Sequence, residues 1–133
     1  MSSKSYLGNP NLKGVGVSVD WTPEAIEEYK KCMESPLYFI RNYVEIVNVD
    51  RGLVKFDLWD FQEDMVNNFH NERFVICKMP RQTGKSTTII SYLLHYILFN
   101  PEVNVAVLAN KGAVARELLS RLQLAYELSL IHI

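Results

Sequence analysis

The chain has 133 residues, 48% of them apolar, which suits one domain or part of one and excludes wholesale disorder. Its formal net charge of −1 gives no global field for nucleic acid or membrane, so any DNA contact needs a local patch. Cys32 and Cys77 lack metal-type spacing, no run reaches the length of a membrane span, and the polar N-terminus is not expected to act as a signal peptide.

Residues 1–20 are rich in Ser, Gly and Asn and predict an irregular arm. Thr22-Pro23 is a helix start, a hydroxyl cap followed by Pro at the first helical position. Ile26, Tyr29 and Met33 predict its apolar stripe, and Glu27 with Lys31 an i,i+4 ion pair on the wet face. Ser35-Pro36 ends that helix and caps a second over residues 37–44, whose Tyr38, Phe39 and Tyr43 read as core or interface aromatics. Residues 45–49 and 53–56, joined through Asp50-Arg51-Gly52, predict a β-hairpin with Gly at the left-handed position. A helix is expected over residues 58–69, with Leu58, Phe61, Met65 and Phe69 as its core stripe.

Phe74-Val75-Ile76-Cys77 predicts a buried strand, and Met79-Pro80-Arg81-Gln82-Thr83-Gly84-Lys85-Ser86 follows it directly. Strand, tight turn and helix is the geometry of a phosphate-binding loop. The turn's backbone N–H groups make an anion nest, and the N-terminus of the next helix adds its dipole. Lys85 is expected to reach the β/γ-phosphates and the Ser86 hydroxyl to ligate Mg²⁺, with ATP as the nucleotide. The consensus places a Gly where this chain has Met79. After the loop, Ile89, Ile90, Leu93, Leu94, Ile97 and Leu98 predict a helix lying on a sheet, stopped by Asn100-Pro101. Residues 103–109 read as a parallel strand buried on both faces, closing a right-handed βαβ unit. A last helix over residues 112–126 aligns Val114, Leu118, Leu122 and Tyr126. The fold class expected is α/β: an incomplete P-loop NTPase parallel sheet with an N-terminal helical and β-hairpin extension.

Several of these segments, in this order, resemble the large terminase subunit of tailed bacteriophages, of the contractile-tailed type. They are Gly8-Asn9-Pro10-Asn11-Leu12-Lys13, Trp21-Thr22, Tyr29-Lys30-Lys31-Cys32, Leu58-Trp59-Asp60-Phe61-Gln62, Arg81-Gln82-Thr83-Gly84-Lys85-Ser86 and Leu108-Ala109-Asn110-Lys111-Gly112. The resemblance spans residues 6–127, and in that family the first consensus Gly of the loop is often missing. The family is the motor ATPase, with an attached nuclease, that packs double-stranded DNA into preformed capsids. The resemblance implies that Gln62 reads adenine, a task suited to a carboxamide that both donates and accepts. It implies that Arg81 acts in cis on the γ-phosphate like an arginine finger. Gln82, Thr83, Gly84, Lys85, Ser86 and Thr87 would then form the nucleotide cradle. Ala109-Asn110-Lys111 matches a segment that faces or couples to DNA in related motors, or else serves only as the turn that starts a helix. Implied partners are double-stranded DNA, the portal protein and the small terminase subunit, with a homo-oligomeric motor in the cytoplasm of the infected host. A helicase or another P-loop NTPase is the competing reading; a helicase would share Gln62 and Lys85 but leave the N-terminal signatures unexplained, and a small-molecule kinase would not need Gln62.

The family's acidic pair on a later strand, its coupling motif and its nuclease domain have no counterpart after Ala109. Residues 21–127 are therefore expected to be the N-terminal part of the ATPase domain, inactive in hydrolysis alone. Leu128-Ser129-Leu130-Ile131-His132-Ile133 is what CTG-TCT-CTT-ATA-CAC-ATC encodes, the end of a transposase-based sequencing adapter, so residues 128–133 are expected to be a non-native tail.

Overall fold

Thr22 opens the first helix as its hydroxyl predicts: Oγ1 accepts from Ala25 N–H at 3.2 Å, and Pro23 sits where no N–H is needed. This helix, α1, is Pro23–Glu34; Ser35 ends it and caps α2, Pro36–Tyr43, accepting from Tyr38 N–H at 3.2 Å. The computed structural model describes Ser5, Tyr6 and residues 9–14, 16, 18 and 20–129, those before residue 14 by their backbone alone. Among these residues lie three further helices, α3 (Asp60–Asn71), α4 (Lys85–Phe99) and α5 (Gly112–Ser129). Two antiparallel strand pairs complete a small mixed α/β fold: β1 (Ser5–Tyr6) with β2 (Asn9–Lys13), and β3 (Glu45–Asn48) with β4 (Gly52–Lys55). The first pair corrects part of the arm expected to be irregular; residues 1–4, 7, 8, 15, 17 and 19 of that arm lie outside the described residues.

The β3–β4 hairpin forms with the expected turn. Asn48 Oδ1 accepts from Asp50 N–H at 2.9 Å and Arg51 N–H at 3.2 Å, and Gly52 takes φ +73° opposite Asn48. Phe56 N–H then bonds Val44 O at 3.0 Å, tying the hairpin's base to the end of α2.

The core lies where α2 and α3 cross α4, around Phe39, Ile40, Val44, Val66 and Leu94. Cys32 brings α1 to it, in place of Ile26 and Met33, which are largely exposed. The rotation of α1 follows from Glu28, whose Oε1 accepts from the Tyr38 and Tyr43 phenols at 2.7 Å each and so turns its own face toward α2. Both hydrogen bonds hold the Glu28 carboxyl below its ordinary range. The Glu27–Lys31 pair forms as expected at 3.2 Å. Arg41 on α2 pairs with Glu63 on α3.

The buried side of α4 is its polar side. Thr88, Ser91, Tyr92 and His95 follow helical spacing and are all buried. Each donor finds a carbonyl: Thr88 Oγ1 on Gly84 O at 2.9 Å, Ser91 Oγ on Thr87 O at 2.8 Å, Tyr92 Oη on Phe69 O at 3.2 Å, and His95 Nε2 on Cys32 O at 2.8 Å. Ile90 and Leu94 of the expected stripe are buried as well, while Ile89 and Ile97 stand partly in solvent.

The expected parallel sheet is absent from the described residues. Residues 74–80 and 103–109 run without helical structure, and neither segment pairs as a strand. Side chains alternate along both: Val75 and Cys77 are half-buried while Phe74 and Ile76 are 83% and 96% exposed. Val103, Val105 and Val107 are half-buried, and Leu108 is 87% exposed. Val107 rests against α4 and α5 at a cavity of about 60 Å³ lined also by Ile90 and Leu122. A parallel strand needs covering on both faces, and here one face alone is covered. The βαβ unit is thus corrected to two separate segments joined through α4, and Cys77 is half-buried rather than in a buried strand. Residues 128 and 129 continue α5, where Ser129 is buried; residues 130–133 lie outside the described residues.

Candidate functional site

The chain between Pro80 and α4 makes a tight left-handed turn. Gln82 has φ +60° and Gly84 φ +72°, with Thr83 at negative φ between them. Such alternation directs successive backbone N–H groups to one side, which is the construction of an anion nest. Gly84 is the N-cap of α4 and contributes no capping side chain, so the helix's first N–H groups remain available to a ligand. Thr83 Oγ1 donates to Pro80 O at 3.1 Å and closes the turn from inside. Lys85 folds back over it: Nζ donates to Met79 O at 3.0 Å and Pro80 O at 2.9 Å. The ammonium is therefore held at the loop by neutral carbonyls, which a phosphate can replace with charge-assisted bonds.

Gln62 reaches the turn from α3. Trp59, the N-cap of α3, has no side-chain oxygen, so Gln62 supplies the missing bond: Oε1 accepts from Trp59 N–H at 3.0 Å. This places the helix start at Asp60, and Leu58, expected as its first core residue, is buried ahead of it. The other end of the carboxamide, Nε2, donates to Thr83 O at 3.4 Å. Gln62 thus joins the start of α3 to the loop and is 6% exposed.

A groove of about 500 Å³ opens between this turn and the hairpin. Gln62 of α3, Gln82, Thr83 and Gly84 of the turn and Thr87 of α4 line it, together with Ile46 and Val54 of the hairpin and Phe56, Asp57 and Trp59 of the segment that follows it. Asn48, Arg51 and Lys55 stand at its hairpin rim. The groove's lining includes Gln62, Gln82, Thr83, Gly84 and Thr87 of the expected site and does not include Arg81, Lys85 or Ser86. Arg81 is exposed in the turn and makes no ion pair among the described residues. Ser86 is half-buried on the first turn of α4 and borders the small cavity beside Val107. Asn110 and Lys111 are exposed, and Lys111 O accepts from Val114 N–H at 3.1 Å, which is turn chemistry at the start of α5.

Sequence reasoning missed the hairpin as a wall of this groove. Its residues carry no motif, and only the packing of β3 and β4 against α2 and α5 brings them there. A second cavity, of about 380 Å³, lies behind the hairpin, lined by Val44, Glu45, Thr87, Ser91, Arg121 and Ala125. No helix among the described residues is long and apolar enough to cross a membrane. No protein-family model matches the chain.

Proposed function

We propose that this chain is the ATP-binding part of a DNA-packaging motor, the large terminase subunit, which couples ATP hydrolysis to movement of double-stranded DNA into a capsid. The observation that carries the reading is the left-handed turn Gln82–Gly84 at the N-terminus of α4, with Lys85 folded over it and Gln62 bonded to Thr83. Polyphosphate would lie in the nest, where backbone N–H groups, the helix dipole and the Lys85 ammonium supply positive potential. Ser86 would hold Mg²⁺ through its hydroxyl, with phosphate oxygens and waters completing the shell, as suits a cation that keeps much of its hydration. Bound Mg²⁺ would neutralise charge between the phosphates.

Hydrolysis also needs carboxylates to position Mg²⁺ and water. Glu117 and Glu127 are the carboxylates after Ala109; both lie on α5, where Glu117 pairs with Arg121 at 2.6 Å. Neither lines the groove, so we expect nucleotide binding by these residues without turnover. The segments named in the sequence support the terminase identity over a helicase, since the groove suits either.

The test is a titration of the 133-residue chain with ATP and with tripolyphosphate, followed by NMR, for wild type and Lys85→Ala. Shifts of the amides of residues 82–88 in wild type, weakened at least about tenfold in the variant, are expected from losing a charge-assisted contact. Unchanged affinity in Lys85→Ala overturns the assignment.

A further inference from the structure

The peptide joining Thr83 to Gly84 sits between two fixed points. On one side Thr83 Oγ1 bonds Pro80 O at 3.1 Å. On the other, Gly84 O accepts from Thr88 N–H at 3.0 Å and from Thr88 Oγ1 at 2.9 Å. With those points held, the planar peptide keeps a crankshaft motion, in which Thr83 ψ and Gly84 φ turn in opposite senses. Gly84 stands at φ +72° and, having no Cβ, takes either sign of φ at little cost. In a trans peptide C=O and N–H point in opposite directions. A flip therefore turns Gly84 N–H away from the nest and puts the Thr83 oxygen in its place, where it repels an anion.

Gln62 meets this peptide with a donor. Its Oε1 is occupied by Trp59 N–H at 3.0 Å, which fixes the nitrogen as the end that faces the loop. That nitrogen donates to Thr83 O at 3.4 Å and lies 2.6 Å from where a Cβ on Gly84 would stand. It matches the carbonyl in the observed orientation and would oppose Gly84 N–H in the flipped one. Because Gln62 is buried, a mismatched pair there goes without water to relieve it. We propose that Gln62 is a positioning residue for phosphate: by holding Thr83 O it selects the peptide orientation that leaves Gly84 N–H open to the anion. The role needs no base, and it leaves the second N–H and a lone pair of the carboxamide for other partners. This assignment rests on the anion-nest reading above and adds to it the contact that sets the nest.

The experiment titrates tripolyphosphate, which carries no base, into the 133-residue wild type, Gln62→Glu, Gln62→Met and Lys85→Ala, followed by NMR. Gln62→Glu keeps an oxygen for Trp59 N–H and hence the start of α3, which the amides of residues 60–63 report. Its other oxygen replaces the donor and accepts Gly84 N–H, favouring the flipped plane. Gln62→Met removes the donor without adding charge. Before ligand is added, the NOE between Thr83 Hα and the Gly84 amide proton, which depends on Thr83 ψ, is expected to change in Gln62→Glu. Tripolyphosphate affinity is expected to fall about fivefold in Gln62→Met, as for one lost hydrogen bond, and further in Gln62→Glu. If Gln62→Met disturbs α3, the ligand-free NOE of Gln62→Glu decides alone. A wild-type NOE in Gln62→Glu overturns the Gln62 assignment, since charge repulsion then accounts for any weakening. Unchanged affinity in a folded Gln62→Met overturns it too, and with Lys85→Ala weakened the loop assignment still stands. A wild-type chain that does not bind tripolyphosphate removes both.

Discussion

The side-chain nitrogen of Gln62 stands 2.6 Å from where a Cβ on Gly84 would lie. Glycine is required here twice over, by its φ of +72° and by this close approach. Gly84→Ala should cost about 1–2 kcal/mol for the left-handed backbone. Displacing Gln62 from Thr83 adds about 1 kcal/mol for the lost hydrogen bond. Urea unfolding of the variant should show the combined loss. A change within experimental error would mean that the turn relaxes freely and that Gln62 does not depend on it.

Arg81 and Lys85 occupy the same turn but should separate in kinetics. Lys85 lies on the loop itself, so its removal should weaken ground-state phosphate binding as well as hydrolysis. Arg81 is exposed and makes no ion pair among the described residues, which leaves its charge available to charge that develops on a γ-phosphate. In a complete motor carrying this loop, Arg81→Ala should lower kcat by orders of magnitude with a much smaller change in ATP affinity. Parallel losses in both quantities would make Arg81 a ground-state ligand.

His95 should make the fold sensitive to mild acid. Burial pushes its pKa below the ordinary 6.5, with His70 nearby adding to the effect and the bond to Cys32 O opposing it. The unfolded chain therefore takes up a proton at higher pH than the folded one. The stability that neutral His95 contributes is complete above about pH 6.5 and is lost as pH falls from there toward the lowered folded value. Denaturant midpoints measured from pH 8 to pH 5 should fall in that window, and His95→Gln should flatten the fall. An identical pH profile in that variant would assign the sensitivity to other groups.

The cysteines should differ in reactivity. Cys32 is 1% exposed, and burial together with the Glu28 charge raises its pKa to about 11. Its thiol stays protonated and shielded at pH 8. Cys77 lies half-buried on a segment that is neither helical nor strand-paired among the described residues. Iodoacetamide followed by mass spectrometry should label Cys77 promptly and Cys32 only on unfolding. Equal labelling rates would mean that α1 opens readily from the core.

What the sequence made legible was local chemistry. Thr22, Ser35 and Gly52 act through bonds to residues a few positions away, and each took its expected place. The turn into α4 is likewise local, so Gly84 and Lys85 were readable as a pair. The buried face of α4 was not, because Thr88, Ser91, Tyr92 and His95 hide their polarity by bonding to carbonyls that hydropathy does not see. Exposed Ile26 and Met33 failed for the same reason in reverse, since the Glu28–tyrosine bonds, not the apolar stripe, orient α1. Residues 74–77 and 103–109 have the composition of parallel strands, but pairing is a non-local event, and alternation along a segment does not supply its neighbour. The hairpin wall was invisible because only tertiary packing carries it to the loop.

The open sides of those two segments set how the protein behaves in company. Phe74, Ile76 and Leu108 project from backbone that no ladder among the described residues satisfies, so adhesive side chains and open hydrogen-bond capacity coincide. A surface of that kind accepts any extended chain that offers complementary amides, including a second copy of itself. Its association is then second order in concentration and little affected by salt, because the forces are apolar and peptide-based rather than ionic. Dispersed molecules are expected at low concentration, and association through this edge as concentration rises.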